Sequence, residues 1–534
     1  MKKISYLSLV LILVLTLAGC KDSPSSNNPT PPDAEKPSDK NKFVWDAMNY
    51  WYFWQDEVPK LADSFEEETD EFRGFLNSYT GSEAAKDLFG DLQYKDDRFS
   101  FFVDDYEEYL EARKGIHAAM GFNYGFIGFE NSNKIVGYAG YVIPDSPAEK
   151  AGLERLDLFT KVDGTALNGS NYAELLTDDK AHELTMAHIV EHSDGSISFQ
   201  EDSTITVASD RVDENPVFKY KVIDNNGSKI GYLVYNAFQR DSHKELNNVF
   251  EKFKSENIDQ LVLDLRYNGG GAVITSQVLA SLIANEGCSA VFANYKYNPK
   301  RTDQDKVLYF FDEVPIQDED EEFIYKDHNN WNKCLDYSNT EPMNHLSLNQ
   351  LYVLVSNSTA SASEALINGL RPYIDITIIG TETVGKDQAA LLLFDAPEPY
   401  TDEEQANDDH KKAIQPIIAK FKNADDNGYP HSAQIEVSNN EVINYHNFKP
   451  KEENKVDEIT PVNLQRKPLL GDPDEPLLAR AIALITGQPA KSRMSFRSVG
   501  SVMHKLKTRN GIQQLRPHGN NMYIEPSIVP NKKD

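Results

Sequence analysis

The sequence predicts a multidomain α/β protein with a helical N-terminal region, a β-rich middle domain and an α/β core. The chain has 534 residues, which is too many for one core because a domain commonly holds roughly 150 residues. Aromatic residues at near-helical spacing crowd the segment after residue 42, whereas short β-type runs and tight turns follow residue 116. Continuous apolar runs after residue 211 suit strands that are buried on both faces of a parallel sheet.

Changes in composition set the predicted boundaries. They give, in order, a signal peptide (1–20), a flexible linker (21–41), a helical domain (42–115), a β-rich domain (116–210), an α/β core (211–490) and a basic tail (491–534). The linker is rich in Pro, Ser and Asn and cannot bury apolar surface. The tail carries nine Lys and Arg residues against Glu525 and Asp534, so we expect it to lie on the acidic body of the protein.

The first 20 residues resemble the export signal of a bacterial lipoprotein. A basic start precedes an apolar run from Ile4 to Leu17, which is shorter than the roughly 20 residues of a membrane span. Leu-Ala-Gly-Cys at 17–20 has the form of a lipobox. The resemblance implies a lipid on Cys20 and a location in the cell envelope, on the periplasmic side or the surface of a Gram-negative bacterium. An uncleaved N-terminal anchor is the alternative.

Composition narrows the classes of partner. A formal net charge of −30 makes the surface repel phosphate, so we expect no nucleic-acid binding. Cys288 and Cys334 could form a disulfide outside the cytoplasm or remain as two buried thiols, and the sequence leaves both open. His182, His188 and His192 lack the H-E-x-x-H pattern of a zinc helix, so we predict no metal site.

Two motifs of the β-rich domain resemble a PDZ domain. Residues 145–153 read Asp-Ser-Pro-Ala-Glu-Lys-Ala-Gly-Leu, in which serine caps a short helix, proline lies in its first turn and glycine ends it. Residues 158–167 predict two strands joined by a tight Asp-Gly turn. This order is similar to the PDZ domains of bacterial proteases; a β-rich domain with a chance match is the alternative. The loop whose backbone amides would then receive a peptide comprises Gly121, Phe122, Asn123 and Tyr124.

Three apolar runs of the core each lead into an unusual loop. The runs and their loops are 261–265 with a glycine-rich loop at 266–271, 351–355 with a Ser/Ala-rich loop at 356–364, and 376–380 with a loop at 381–386. The segment 363–373 fits a crossover helix between the second and third strands. Since open parallel sheets place their ligands at the carboxyl ends of the strands, we expect the three loops to meet there.

These loops hold the groups that amide hydrolysis requires: a nucleophile, a base and donors for an oxyanion. Ser361 lies where a strand passes into a helix, beside the free N–H of Ala362. Gly270 and Gly271 allow a second backbone to approach and to offer further N–H donors. Lys386 follows the neighbouring strand and can act as a base if burial lowers its pKa towards neutrality.

The same residues resemble the signature of the C-terminal processing peptidases, the S41-type serine proteases. In that family the middle serine of SASASE is the nucleophile and a Gly-Lys motif 25 residues later carries the base, and Ser361 and Lys386 have this spacing. The resemblance implies a ClpP/crotonase-like core sheet, an oxyanion hole from backbone N–H groups of Gly270 or Gly271 and of Ala362, a protein or peptide substrate, and no cofactor.

The sequence departs from the family at a supporting position. The family often has a glutamine four residues after the lysine, where this chain has Ala390. Gln388 is the nearest glutamine and is therefore a candidate supporting residue.

The sequence predicts a serine endopeptidase that cuts unstructured protein or peptide segments with a Ser/Lys dyad. The alternative is a non-catalytic lipoprotein that holds peptides with its PDZ-like domain and a decayed protease fold. The Ser361 and Lys386 pair favours the enzyme, whereas the missing family glutamine favours the binding protein.

Overall fold

The computed structural model describes residues 37–488, except 66–68, 130–131, 177–179, 194–195, 226, 318–336 and 438–440, and also residues 503–505. The predicted signal peptide with Cys20, most of the predicted linker and tail, and Cys334 lie outside the described residues. Cys288 is disulfide-bonded. Within the described ranges, no helix is long and apolar enough to cross a membrane.

The N-terminal region is helical, as predicted. Its elements are α1 (Asp39–Trp51), α2 (Asp70–Asn77), α3 (Ala84–Asp91), β1 (Phe101–Val103) and α4 (Tyr106–Arg113). Helix α1 begins inside the predicted linker because Ser38 caps it, with Ser38 Oγ accepting the N–H of Asn41 at 3.2 Å. Trp45, Trp51 and Tyr52 are buried, so the aromatic residues form a core.

A β-rich unit follows. Its elements are β2 (Ile116–Ala119), β3 (Phe122–Phe129), β4 (Ile135–Val142), α5 (Pro147–Lys150), β5 (Leu158–Val162), β6 (Thr165–Ala166), β7 (His182–Glu191), β8 (Ile197–Val207) and β9 (Asp210–Asp213). Ser146 caps α5 through the N–H of Glu149, as the sequence predicts. Asp163 and Gly164 have φ values of 50° and 73°, which suit the tight turn predicted between β5 and β6.

The rest of the described chain forms the α/β core. Its elements are β10 (Val217–Asn225), β11 (Ser228–Tyr235), α6 (His243–Ser255), β12 (Gln260–Asp264), α7 (Val273–Ala284), β13 (Val291–Tyr297), β14 (Lys306–Tyr309), β15 (Glu313–Pro315), β16 (Thr340–Pro342), β17 (Gln350–Val355), α8 (Ala362–Leu370), β18 (Asp375–Gly380), β19 (Gln388–Ala390), β20 (Leu393–Phe394), β21 (Ala413–Gln415), β22 (Ile417–Lys422), β23 (His431–Val437), β24 (Glu441–His446), α9 (Pro461–Arg466) and α10 (Pro476–Thr486). A last strand, β25 (Met503–Lys505), pairs antiparallel with β3.

One five-stranded sheet organises the core, in the order β10-β11-β12-β17-β18. Strands β11, β12, β17 and β18 run parallel, and β10 is antiparallel to β11. Leu246, Val278 and Leu366 of α6, α7 and α8 pack with one face of the sheet, whereas Leu477 and Ala481 of α10 pack with the other. The predicted parallel strands are confirmed, and their two buried faces explain why their sequences do not alternate.

A second sheet lies beside the loop that follows β18. It has the order β14-β13-β22-β19, and Lys386 lies two residues before its edge strand β19. Strand β1 of the N-terminal region pairs with β21, and the N–H of Phe53 donates to the carbonyl of Ile417 at 2.8 Å. The N-terminal region is thereby held against the part of the core that presents Lys386.

Candidate active site

The three predicted loops meet at the carboxyl ends of β12, β17 and β18. Thr359 Oγ1 donates to the carbonyl of Leu265 at 2.7 Å. The N–H of Ala360 donates to the carbonyl of Asn268 at 3.1 Å, and the N–H of Val384 donates to the carbonyl of Thr359 at 3.0 Å. The Ser/Ala-rich loop is therefore bonded to both of its neighbours, which confirms the predicted gathering of the loops.

Ser361 occupies a sharp turn between β17 and α8. Its φ of 64° and ψ of −117° are rarely adopted by residues other than glycine, and such strain is commonly found at functional positions. The residue is fully buried, and its Oγ faces the N–H of Glu364 in a capping box, but no described residue accepts a hydrogen bond from it. A Cβ on Gly270 would lie 2.6 Å from Ser361 Cβ, so glycine is required for the loop to approach this closely.

The backbone N–H groups beside Ser361 differ in whether they already donate to an acceptor within the protein. Gly270 N–H donates to Asn268 Oδ1 at 2.8 Å, so the Asn268 carboxamide already occupies it. Ala362 is the first residue of α8, and its N–H therefore has no intrahelical acceptor. Within the described chain, the N–H groups of Gly271 and Ala362 have no recorded acceptor. Of the two predicted glycine donors, the geometry favours Gly271 and argues against Gly270.

Lys386 is fully buried beside these loops. Burial lowers the pKa of its amine to about 7, and the Arg98 guanidinium acts in the same direction, whereas Asp97 and Glu364 raise it. Among the described residues, Ser361 Oγ forms no hydrogen bond with Lys386 Nζ. Catalytic hydrogen bonds are often long in a substrate-free enzyme and tighten when substrate binds.

Gln388 begins β19, two residues after Lys386. Its buried Oε1 accepts no hydrogen bond from the described residues, so this oxygen does not orient the lysine. Ala390, at the position of the family glutamine, is fully buried.

Glu364 is the residue whose role the sequence did not predict. Its Oε2 accepts the N–H groups of Ser361 and Lys386, each at 2.9 Å. Its Oε1 accepts the N–H of Gly385 at 2.7 Å and the hydroxyl of Thr383. Burial raises the pKa of Glu364 to about 7, although these hydrogen bonds lower it. The Ser-x-x-Glu spacing predicts only a helix cap, whereas the carboxylate also fixes the loop of Lys386.

The predicted peptide-binding loop lies in the β-rich unit. Gly121 has a φ of 86°, and its carbonyl accepts the N–H of Ile143 at 2.9 Å and Ser146 Oγ at 3.1 Å. The other three residues, Phe122, Asn123 and Tyr124, are buried and lie in β3. Strand β25 pairs with the far end of this same strand.

A buried ionic network connects the β-rich unit to the glycine loop. Arg266 Nη2 lies 2.8 Å from Asp264 Oδ2, and its Nη1 lies 2.7 Å from Glu475 Oε1 and 3.1 Å from Glu458 Oε1. Arg155 of the β-rich unit also contacts Glu458. Arg155 Nη1 also donates to the hydroxyl of Tyr267, the residue after Arg266, at 2.5 Å.

Family sequence models match both parts of the chain that meet at Lys386. Residues 229–393 match peptidase family S41, and residues 39–101 match the peptidase S41 N-terminal domain. The first range contains Ser361, Lys386 and the glycine loop, and the second runs from the start of α1 to the first residue of β1.

Two known proteases are similar in sequence to about half of this chain. A CtpA-like serine protease of Staphylococcus aureus is 25% identical over 288 residues, which are 53% of this chain and 49% of that protein. A carboxyl-terminal-processing protease of Picosynechococcus is 25% identical over 257 residues, 48% of this chain and 52% of that protein. The chain therefore spans about half the length of the curated relatives it matches.

A solved structure shows the same fold. The crystal structure of an S41 protease from Bacteroides fragilis is 23% identical, with a TM-score of 0.55, and the match covers 83% of this chain and 97% of that chain. The matched domains, the related sequences and the shared fold are all those of S41 peptidases or carboxyl-terminal processing proteases. The chain therefore contains a peptidase family S41 domain at residues 229–393 and is similar to the carboxyl-terminal processing proteases.

Proposed function

We propose that this protein is a serine endopeptidase that cleaves unstructured protein or peptide segments with Ser361 as nucleophile and Lys386 as general base. The observation that carries the proposal is the state of Ser361: it lies in a strained turn at a helix N-terminus, and no described residue accepts a hydrogen bond from its hydroxyl. A buried serine kept only for structure would be expected to donate its hydroxyl proton to an acceptor.

Lys386 supplies a base of suitable strength. With a pKa of about 7, a large fraction of the amine is neutral near pH 7 and can accept the proton of Ser361 Oγ. Oγ then attacks the substrate carbonyl, and the N–H groups of Gly271 and Ala362 stabilise the oxyanion. Protonated Lys386 returns its proton to the leaving amine, and water hydrolyses the acyl-enzyme with Lys386 again as base.

The β-rich unit would serve as a PDZ-like domain that captures the substrate. The capped helix α5 and the turn at Asp163 follow the order of the PDZ-like motifs. In this proposal the loop from Gly121 to Tyr124 receives the peptide, and the five-stranded sheet is the ClpP/crotonase-like core. The protein would act in the cell envelope, anchored through a lipid on Cys20.

Cleavage of an unfolded protein tests this function. Protein produced without residues 1–20 and its Ser361→Ala variant would be incubated with reduced, unfolded casein, and the fragments would be followed by mass spectrometry between pH 6 and 9. We expect fragments from the parent and none from the variant. Silence from both would favour the binding protein with a decayed protease fold, and equal cleavage by both would reject Ser361 as the nucleophile.

A further inference from the structure

A short turn of the N-terminal region lies against the proposed active site. It spans residues 97–100, between α3 and β1. Arg98 Nη2 donates to the carbonyl of Gly385 at 3.5 Å, and the ring centroid of Phe99 lies 5.1 Å from Lys386 Nζ. A segment remote in sequence from the peptidase motifs thus contacts the side chain of the general base.

The turn is firmly held. Asp97 Oδ1 accepts the N–H groups of Phe99 and Ser100 at 2.9 and 3.0 Å, which is the local bonding by which aspartate stabilises turns. Asp97 Oδ2 accepts the hydroxyl of Tyr52 at 2.7 Å. Ser100 Oγ accepts the N–H of Ile417, in β22, at 2.8 Å. The position of Phe99 is therefore fixed from both the N-terminal region and the core.

The side chains of Phe99 and Lys386 differ in their exposure to solvent. Phe99 is half-buried, whereas Lys386 is fully buried. The ring thus packs on the buried amine while part of it remains exposed to solvent.

We propose that Phe99 is a positioning residue for the peptidase reaction: its ring forms the outer wall of the Lys386 pocket and excludes water from the amine. The inference rests on the proposed function, because it assigns Phe99 a role in preparing the general base.

The ring has two opposing effects on the protonation of Lys386. An aromatic face attracts an ammonium group and so favours the charged form, whereas exclusion of water favours the neutral amine. Burial is the largest influence on the pKa of Lys386, so we expect exclusion of water to prevail. The other charged groups that face the amine are Asp97 and Arg98 of the turn and Glu364 of α8.

The test compares Phe99→Ala and Phe99→Leu with Phe102→Ala as the matched control. The Phe102 ring packs on Phe89 of the same region, at 6.2 Å between centroids. The measurement is kcat/KM for peptide cleavage between pH 5.5 and 10. For Phe99→Ala we expect the acid limb to move to higher pH by about one unit, with roughly tenfold lower activity below the limb and recovery at alkaline pH.

The remaining variants separate a role at Lys386 from a structural one. Phe99→Leu keeps an apolar wall and should restore most of the parent profile. Phe102→Ala should lower the thermal stability and leave the acid limb in place. An acid limb that stays in place in Phe99→Ala, or one that moves equally in Phe102→Ala, overturns the inference.

A second readout does not depend on catalysis. In the Ser361→Ala background, competitive acetylation of Lys386, followed by peptide mass spectrometry across pH, reports the protonation of its amine directly. We expect a higher midpoint when Phe99→Ala is added. If this midpoint rises although the parent cleaves nothing, the proposed function fails and the role of Phe99 as a wall stands; if the parent is active and the midpoint does not move, the role of Phe99 fails alone.

Discussion

Ser361 and Lys386 are joined through a single atom, because Glu364 Oε2 accepts the backbone N–H of both residues at 2.9 Å. The two N–H groups come from different loops, one before α8 and one after β18. Their shared acceptor fixes the distance between the backbones that carry the proposed nucleophile and base. Catalysis depends on such positioning, since a displacement of about 1 Å can lower a rate by roughly a hundredfold.

Glu364→Gln should therefore lower activity and stability together. A glutamine replaces one acceptor oxygen by an NH₂ group that would face an N–H donor, which should reduce the free energy of unfolding by about 1–3 kcal/mol. We expect kcat to fall by roughly ten- to a hundredfold. Since Glu364 raises the pKa of Lys386, the acid limb should also move to lower pH, opposite to the shift expected for Phe99→Ala.

The measurements for Glu364→Gln are a pH–rate profile and urea unfolding. Glu452→Gln is the matched control, because Glu452 is exposed and such a substitution should change stability by less than about 0.5 kcal/mol. Parent-like activity together with an unmoved acid limb would show that Glu364 only caps α8.

Lys386→Met should be inactive and yet more stable than the parent. The pKa of Lys386 is about 7 in the folded protein, below its ordinary value of 10.5. Between these two values the unfolded chain binds a proton that the folded protein does not, so the penalty is greatest at low pH and disappears as pH approaches 10.5. Replacing a buried ionisable group by an apolar one of similar size often stabilises by about 1–4 kcal/mol.

Thermal unfolding at pH 6 and pH 9 checks the prediction for Lys386→Met. We expect a gain in Tm over the parent that is larger at pH 6 than at pH 9. A loss of stability at both pH values would mean that the amine is well solvated or paired in the folded protein, and Lys386 could not then be a base tuned by burial.

The sequence predicted the parallel strands and the meeting of their loops because both depend on local pattern. Each apolar run is long enough for a buried strand, and parallel strands with a crossover helix place their carboxyl ends at one edge. Ser361 and Lys386 were predicted as nucleophile and base from their spacing, their context and the resemblance to the S41 motifs, and these roles stay predictions. The predicted helical N-terminal region is likewise explained by its aromatic residues, which are buried as a core.

The parts that sequence reasoning missed depend on how loops fold back in space. Whether Gly270 or Gly271 offers a free N–H is decided by Asn268, whose carboxamide occupies the former. Glu364 has an ordinary helix-cap spacing, and only the return of residues 383–386 gives its carboxylate further donors. No sequence motif marks Phe99, because its contact with Lys386 arises only when the N-terminal region packs against the core.

Gly270→Ala should strongly lower activity while the protein remains folded. Glycine at this position has a φ of 109°, and a Cβ would lie 2.6 Å from Ser361 Cβ and 2.9 Å from the Ala362 nitrogen. The added methyl group must displace the nucleophile, the oxyanion donor or both, and we expect kcat/KM to fall by at least about a hundredfold. Peptide cleavage and the melting temperature would both be measured.

Gly74→Ala is the control for Gly270→Ala. Gly74 lies inside α2, and a Cβ there meets nothing within 4 Å, so alanine should stabilise the helix by about 0.5–1 kcal/mol and leave cleavage unchanged. Near-normal cleavage by Gly270→Ala would mean that the loop can retreat from Ser361, and the close approach would then have no catalytic importance.

Arg266→Met should be the most destabilising of these substitutions. It leaves Asp264 and Glu475, both fully buried, without the guanidinium that lies 2.8 and 2.7 Å from their oxygens. Removing one partner from a buried ion pair commonly costs about 3–5 kcal/mol, because the remaining charge has neither water nor a counter-ion. Urea unfolding should show this loss as a lower midpoint with an unchanged slope.

Lys42→Met provides the surface comparison for Arg266→Met. Lys42 pairs with Asp46 on α1, with 39% of its side chain exposed, and such a pair contributes less than about 1 kcal/mol. If both variants lost similar stability, the buried network would be relaxed or hydrated. A large loss in Arg266→Met alone would show that this network holds the end of β12, and with it the glycine loop that faces Ser361.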